Sequence, residues 1–240
     1  MRQLFLSPYL MLYNHLFFDL DHTIWDFDKN AEETLHELYH TYKLKNLGLH
    51  SADRFIERYT LNNHQLWADY HVGKISKQVL RETRFAKTFT DLGVSPEHIP
   101  HQFEDDYVAI CPTKTNLFPL AHQTLSYLKN KYTLHVISNG FKESTEMKIS
   151  NNGLDVYFDH VIISEVVGVN KPDRAIFDHA LNLAEADVSE SIMIGDSIEA
   201  DIRGAQDYGM KAIYFNPECK EKPIDVELQI NCLSELISIL

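Results

Sequence analysis

A parallel, doubly wound α/β sheet with a helical domain inserted after its first strand is the fold that this sequence predicts. Three observations carry the prediction. Short apolar runs, mostly β-branched or aromatic, recur at 16–20, 133–138, 161–164, 192–194 and 212–215. Runs of that length and composition read as buried strands. Amphipathic helical stretches separate most of them, clearest at 120–128, 175–184 and 200–208, and strand–helix alternation builds parallel sheets. The block 28–107 has helical spacing instead, with Ala31, Leu35, Leu38 and Tyr42, then Phe55, Tyr59 and Leu66, and no strand signal. The expected division is an α/β core over 1–27 and 108–240 interrupted by a helical insertion over 28–107. The chain returns near Pro112, and Pro119 precedes the next helix.

With 240 residues, 44% of them hydrophobic, the chain can bury a large core. A formal net charge of −13 repels nucleic acid and anionic lipid at long range. That argues against a nucleic acid polymer as partner and leaves room for a small anion in a locally positive, metal-bearing pocket. The cysteines, Cys111, Cys219 and Cys232, are odd in number and form no CxxC pair, so neither a disulfide framework nor a cysteine zinc site is expected. This usage fits a reducing, cytoplasmic setting. No run of 18 apolar residues exists, so no membrane span is expected. The first residues are apolar enough to be mistaken for a secretion signal. Ser7, Pro8, Tyr9 and Asn14 break the run, no small-residue cleavage site follows, and Met11 serves as a start as well as Met1 does.

Four short motifs stand at predicted strand ends, where α/β sheets place their ligands. The first is Asp19-Leu20-Asp21-His22-Thr23, which puts two carboxylates together after the first apolar run. Such a pair divides labour: one acid attacks phosphorus, and the other gives a proton to the leaving group and then activates water. Ser138-Asn139-Gly140 closes the second run, with a hydroxyl and backbone N–H groups suited to phosphoryl oxygens. Lys171, in Asn170-Lys171-Pro172-Asp173, follows the third run and offers a fixed positive charge. Gly195-Asp196-Ser197-Ile198-Glu199-Ala200-Asp201 follows the fourth and opens a helix, and Asp196 there is a natural hard-oxygen ligand for magnesium. Each motif alone also has an ordinary reading: a polar strand end, a turn, a solvent-exposed lysine, and acids complementing a helix N-terminus.

Taken together and in this order, the motifs resemble those of haloacid-dehalogenase-superfamily hydrolases over nearly the full chain. The resemblance implies a Rossmann-like core with the helical insertion as a cap. It implies Asp19 as nucleophile, Asp21 as general acid and base, and Ser138 and Lys171 as further catalytic residues. Ser138, Asn139, Gly140 and Lys171 are implied to bind the substrate phosphate. Mg²⁺ is implied on Asp19, the backbone carbonyl of Asp21, and Asp196, with Asp201 and Thr23 orienting the site. Dehalogenases of the superfamily lack the second acid of the first motif, because attack on carbon needs no proton for a leaving alkoxide. Asp21 therefore points to a phosphatase. A phosphonatase, which uses a cap lysine, would have Lys74 or Lys77 available. The stretch from Thr23 to Asp28, with the cap residues Trp67, Tyr70, Gly73, Arg81, Arg84 and Phe85, further resembles the pyrimidine 5′-nucleotidase group. The implied substrate is a small phosphorylated metabolite such as a pyrimidine nucleoside 5′-monophosphate, handled by a monomer or homodimer. A sugar phosphatase or a phosphomutase of the same superfamily is the alternative, the mutase sharing every motif. A non-catalytic binding protein would keep the fold but is signalled by loss of an acid, and none is lost here.

Some residues invite other readings. Trp25 and Phe27 could stack on a base, though packing is the commoner use of such rings. Arg81 and Arg84 could meet an anion, or form surface ion pairs, which is the commoner outcome. His36-Glu37-Leu38-Tyr39-His40 matches the HExxH zinc-protease pattern. Its histidines lie off the apolar stripe of their helix and should face solvent, and no third ligand follows at the usual spacing.

Overall fold

The apolar runs do form strands in a computed structural model, which describes residues 13–240. The segment weighed above as a secretion signal, with the alternative start at Met11, lies outside the described residues. Six strands make one sheet: β1 (His15–Phe18), β2 (Thr133–Ser138), β3 (His160–Ile163), β4 (Ser191–Gly195), β5 (Lys211–Phe215) and β6 (Leu228–Ile230). Their order is β3-β2-β1-β4-β5-β6, and every pairing is parallel. The register aligns Leu16 with Leu134 on one side and with Ile192 on the other. Strand order reverses at β1, which opens a crevice at the carboxyl ends of β1, β2 and β4.

The chain divides into two units, one comprising residues up to Asp26 with Thr115–Leu240, the other Phe27–Lys114. The second unit holds α1 (Phe27–Thr41), α2 (Ala52–His71), α3 (Lys77–Asp91) and α4 (Phe103–Ile110). The sheet unit holds α5 (Ala121–Lys129), α6 (Lys142–Asn151), the one-turn α7 (Ser164–Val167), α8 (Arg174–Leu183), α9 (Gly204–Tyr208) and the short α10 (Leu236–Ile239). In this unit Phe17, Ile137, Ile162 and Met193 of the strands pack with Ile176 and Phe177 of α8. No helix among the described residues is long and apolar enough to cross a membrane.

In the helical unit, Ser51 and Ser76 start α2 and α3 by accepting hydrogen bonds from the N–H groups of Arg54 and Val79. The core is aromatic: Phe55, Tyr59, Phe85, Phe89, Phe103 and Tyr107 are all buried and in ring contact. Each buried ring contributes about 2–3 kcal/mol relative to exposure. This core corrects the expected boundary at 107/108. Helix α4 runs through that point, and Tyr107 is one of its core rings, so the helical unit continues to Lys114. It also corrects the surface reading of Arg84. That side chain is buried, donates to both carboxylate oxygens of Glu104 at 2.8 and 2.7 Å, and lies 4.8 Å from the Tyr107 ring centroid. Arg81 does pair nearer the surface, with Glu104 and Asp105.

Candidate active site

The site grows from three strand ends. The N–H of Asp19 continues the β1–β4 ladder by donating to the Ile194 carbonyl at 2.8 Å, which fixes the residue at the sheet edge. The chain then turns sharply. His22 takes a left-handed conformation (φ 62°), its N–H donates to the Trp25 carbonyl at 2.9 Å, and the N–H groups of Ile24 and Trp25 both reach the Leu20 carbonyl. This turn explains why the strand ends at Phe18 rather than at residue 20. It also buries Trp25 completely, so packing is its role and base stacking is not. Thr23, equally buried, donates from its hydroxyl to Asp196 Oδ1 at 3.0 Å and ties the β1 turn to the end of β4.

After β4, Ser197 caps the following helix by accepting from the Ala200 N–H at 3.2 Å. Its own N–H donates to Asp201 Oδ2 at 3.0 Å. The helix begins as a π-helical turn (Ile198–Arg203), which brings Asp201 back over Gly195. A Cβ at Gly195 would overlap that carboxylate, so a glycine is required where the backbone and Asp201 approach.

Lys171 binds these loops together. It is 1% exposed, and its ammonium has three oxygens at 2.6 Å: Asp19 Oδ1, Asp201 Oδ1 and the Ile137 carbonyl. The ammonium donates hydrogen bonds to Asp19 Oδ1 and the Ile137 carbonyl, and its contact with Asp201 Oδ1 is an ion pair. The exposed-lysine reading is overturned. Asn139 explains how the lysine is held: its Oδ1 accepts from the Lys171 N–H at 2.8 Å, and its Nδ2 donates to the Lys171 carbonyl at 2.9 Å. The expected phosphate-binding role of Asn139 therefore does not belong to its side chain, which is committed to the lysine loop. Ser138 Oγ accepts from the Gly140 N–H at 3.0 Å. A Cβ on Gly140 would lie 2.7 Å from Thr145 Oγ1, 3.1 Å from Ser138 Oγ and 3.5 Å from Asp21 Oδ2, so this turn also demands glycine.

Asp21 has a partner that the motifs did not reveal. Lys148 of α6, only 5% exposed, donates to Asp21 Oδ1 at 2.6 Å and lies 4.3 Å from the Trp25 ring centroid. One signal could have found it. Thr145, Lys148 and Ile149 form the buried stripe of α6, continued at the same helical spacing by Asn152 just past its end, and a lysine on such a stripe requires an acid.

A family model for haloacid dehalogenase-like hydrolases matches residues 13–209. The chain belongs to that family. Among its relatives are the pyrimidine 5′-nucleotidase PynA of Streptococcus pneumoniae, 32% identical over 209 residues covering 86% of this chain and 85% of that protein, and the pyrimidine 5′-nucleotidase YjjG of Escherichia coli, 32% identical over 214 residues covering 89% and 90%. The structure of the Bacillus subtilis HAD-hydrolase YfnB bound to magnesium superposes with a TM-score of 0.83 at 25% identity, covering 95% of this chain and 98% of that one.

The electrostatics of this hydrolase fit a divalent cation. Asp19, Asp196 and Asp201 bring oxygens within 4.8 Å of one another. Burial pushes the Asp19 carboxyl well above its ordinary range; Lys171 pulls it back, and Asp201 and Asp196 add to the rise. Asp196 is pushed up to about 7, by burial first and then by Asp201. Burial disfavours the Lys171 charge, but Asp19 and Asp201 more than restore it, and the ammonium is held charged. Buried Asp19 and Asp201 both pair with the one ammonium, and half-buried Asp196 has an oxygen within reach of theirs, so the three acids outnumber the cation. A hard, doubly charged cation would balance the set, and carboxylate oxygens are the donors such an ion prefers. The HExxH pair has no such company. His40 is exposed, and half-buried His36 faces Glu32 and Asp53 of its own unit at 4.0 and 3.7 Å.

Proposed function

We propose that this hydrolase is a magnesium-dependent phosphomonoesterase that forms an aspartyl-phosphate on Asp19 and acts on a small phosphorylated metabolite, a pyrimidine nucleoside 5′-monophosphate in first place. One observation carries the reading. The two carboxylates at the end of β1 have separate lysines, Lys171 on Asp19 and Lys148 on Asp21, so each can perform a different task. Displacement of halide from carbon needs only the first acid. Expulsion of an alkoxide from phosphorus uses both.

In the first half-reaction an Asp19 oxygen bonds to phosphorus as the ester P–O bond breaks. The electron pair stays on the leaving oxygen, which takes a proton from Asp21. In the second, Asp21 takes a proton from water, the water oxygen bonds to phosphorus, and the Asp19–phosphorus bond breaks to release phosphate. Lys171 and the Ser138–Gly140 turn face the charge of the transferring group. Asp19, the Asp21 carbonyl and Asp196 would hold Mg²⁺, which when bound supplies positive charge for the phosphoryl oxygens. Asp201 stays with Lys171 and Ser197, and Thr23 orients Asp196.

The nucleotide preference is drawn from the two nucleotidase relatives. The choice of leaving group is assigned to the inserted helical unit acting as a cap. Cys111, Cys219 and Cys232 form no disulfide among the described residues, and a reducing cytoplasm suits them. The test is phosphate release from a panel of nucleoside monophosphates and sugar phosphates, with and without Mg²⁺, for the natural chain and Asp19→Asn. Mg²⁺-dependent release that disappears in the variant, greatest on UMP, dUMP or dTMP, is expected. Greatest release on a sugar phosphate would move the substrate class. No release from any compound would leave a mutase or a binding protein.

A further inference from the structure

Resting on the phosphatase reading, we infer that Lys148 is a positioning residue that holds Asp21 in the orientation from which it protonates the leaving oxygen. The first ground is cost. An ammonium inside a folded domain is unfavourable unless it is paired, and the position on α6 is one that an apolar side chain would fill cheaply. Thr145, Ile149 and Asn152, its neighbours on the same stripe, carry no charge. The lysine is there for a partner, and Asp21, with Oδ1 at 2.6 Å, is an acid that meets it.

The second ground is the shape of the clamp. The left-handed turn at His22 folds the chain back, so that Trp25 bridges to Asp21 and sets its ring 4.3 Å from the Lys148 nitrogen. The ring face attracts the ammonium and fixes where it sits. With Oδ1 held there, Oδ2 is turned toward the Gly140 backbone, where an added Cβ would lie 3.5 Å from it. Gly140 belongs to the Ser138–Gly140 turn, which the phosphatase reading sets beside the transferring group, and its own N–H is held by Ser138 Oγ. On that reading the oxygen left to exchange a proton is the one on the side of the transferring group. When that proton leaves with the departing oxygen, Asp21 becomes a carboxylate beside a fixed positive charge. The third ground is separation. Lys171 serves Asp19 and Asp201 and is itself braced by Asn139, so neither lysine substitutes for the other.

A salt bridge that merely fastens α6 would look similar in a static structure, but it would not distinguish between leaving groups. The experiment compares kcat/KM, which reports the steps up to leaving-group expulsion, on a nucleoside monophosphate and on 2,4-dinitrophenyl phosphate. The alkoxide of the first needs a proton, and the dinitrophenolate of the second does not. Lys148→Met is expected to lose about 10–100-fold on the alkyl ester and less than about threefold on the aryl ester, within the range of general acid catalysis. Lys148→Arg, which keeps the charge, is expected to recover part of the alkyl activity. Asp21→Asn should show the same discrimination, more strongly. Equal losses on both esters, or no loss, would overturn the positioning role while leaving the phosphatase reading intact. A natural chain inactive on both esters would overturn the phosphatase reading, and this role with it.

Discussion

Lys171 shows how much a single buried charge can organise. Its ammonium joins acids from the β1 and β4 ends to a β2 carbonyl, and Asn139 fixes its backbone from both sides. Lys171→Met leaves Asp19 and Asp201 facing each other without a counter-charge, so phosphate release is expected to fall by about 10²–10³-fold even at saturating Mg²⁺. A loss below tenfold, measured as kcat, would mean the metal alone carries the phosphoryl charge. Gly195 makes a complementary prediction, because its lack of a side chain is what admits the Asp201 carboxylate. Gly195→Ala should displace Asp201, lower activity, and destabilise the fold by about 1–3 kcal/mol, the usual range for overpacking. Urea unfolding alongside a phosphate-release assay checks both effects. The acids, the lysine and the glycines of this site were legible in the sequence because they stand next to strand ends. The bracing role of Asn139 was not, because its partner is 32 residues away along the chain.

At the scale of elements, β1, β2 and β3 carry a feature at the opposite end from the acids. His15, His135 and His160 stack across the three strands, with ring centroids 5.4 Å apart at each step. His135 is 1% exposed, and its imidazole is lowered to about 4, by burial first and then by the neighbouring His15 and His160, against a raising influence from Asp159. An unfolded histidine titrates near 6.5. A folded-state value below the unfolded one means that protons favour the unfolded chain, so this contribution to stability is intact above about 6.5 and is lost as pH falls toward about 4. The loss at pH 4 reaches at most about 3 kcal/mol. Urea midpoints between pH 7 and pH 4.5 should fall less steeply in His135→Leu than in the natural chain, and parallel curves would remove His135 as the cause. Strands β1 to β5 announced themselves through apolar composition. Strand β6 did not, because Leu228–Ile230 is only three residues long, with a glutamine at its centre. Lys148 was missed for a related reason: a lysine in a polar-looking helix reads as solvated until the acid facing it is known.

For the molecule as a whole, the parallel sheet gathers acids that are far apart in sequence into one cluster, and on the proposed function that cluster couples stability to metal and to pH. Burial, and then Asp201, push the Asp196 carboxyl up to about 7, above the 3.8 of an ordinary aspartate. A carboxyl raised by folding contributes stability at low pH that is lost as pH rises through about 7, the reverse of the His135 case. A bound divalent cation reverses the balance, because it requires the ionised carboxylate and removes the repulsion from Asp201. Mg²⁺ should therefore raise the thermal midpoint, by an amount that grows with the logarithm of its concentration once the site is filled and reaches about 2.7 kcal/mol of stabilisation at a hundred times Kd. The increment should be larger at pH 8 than at pH 6, since at the lower pH the ion must displace a proton from Asp196. Ca²⁺ tests the ion, and Asp196→Asn tests the residue, whose amide cannot titrate. In that variant the Mg²⁺ increment should shrink and lose its growth between pH 6 and pH 8. An increment that is the same at both pH values in the natural chain would show that Asp196 is not the group whose proton the metal displaces.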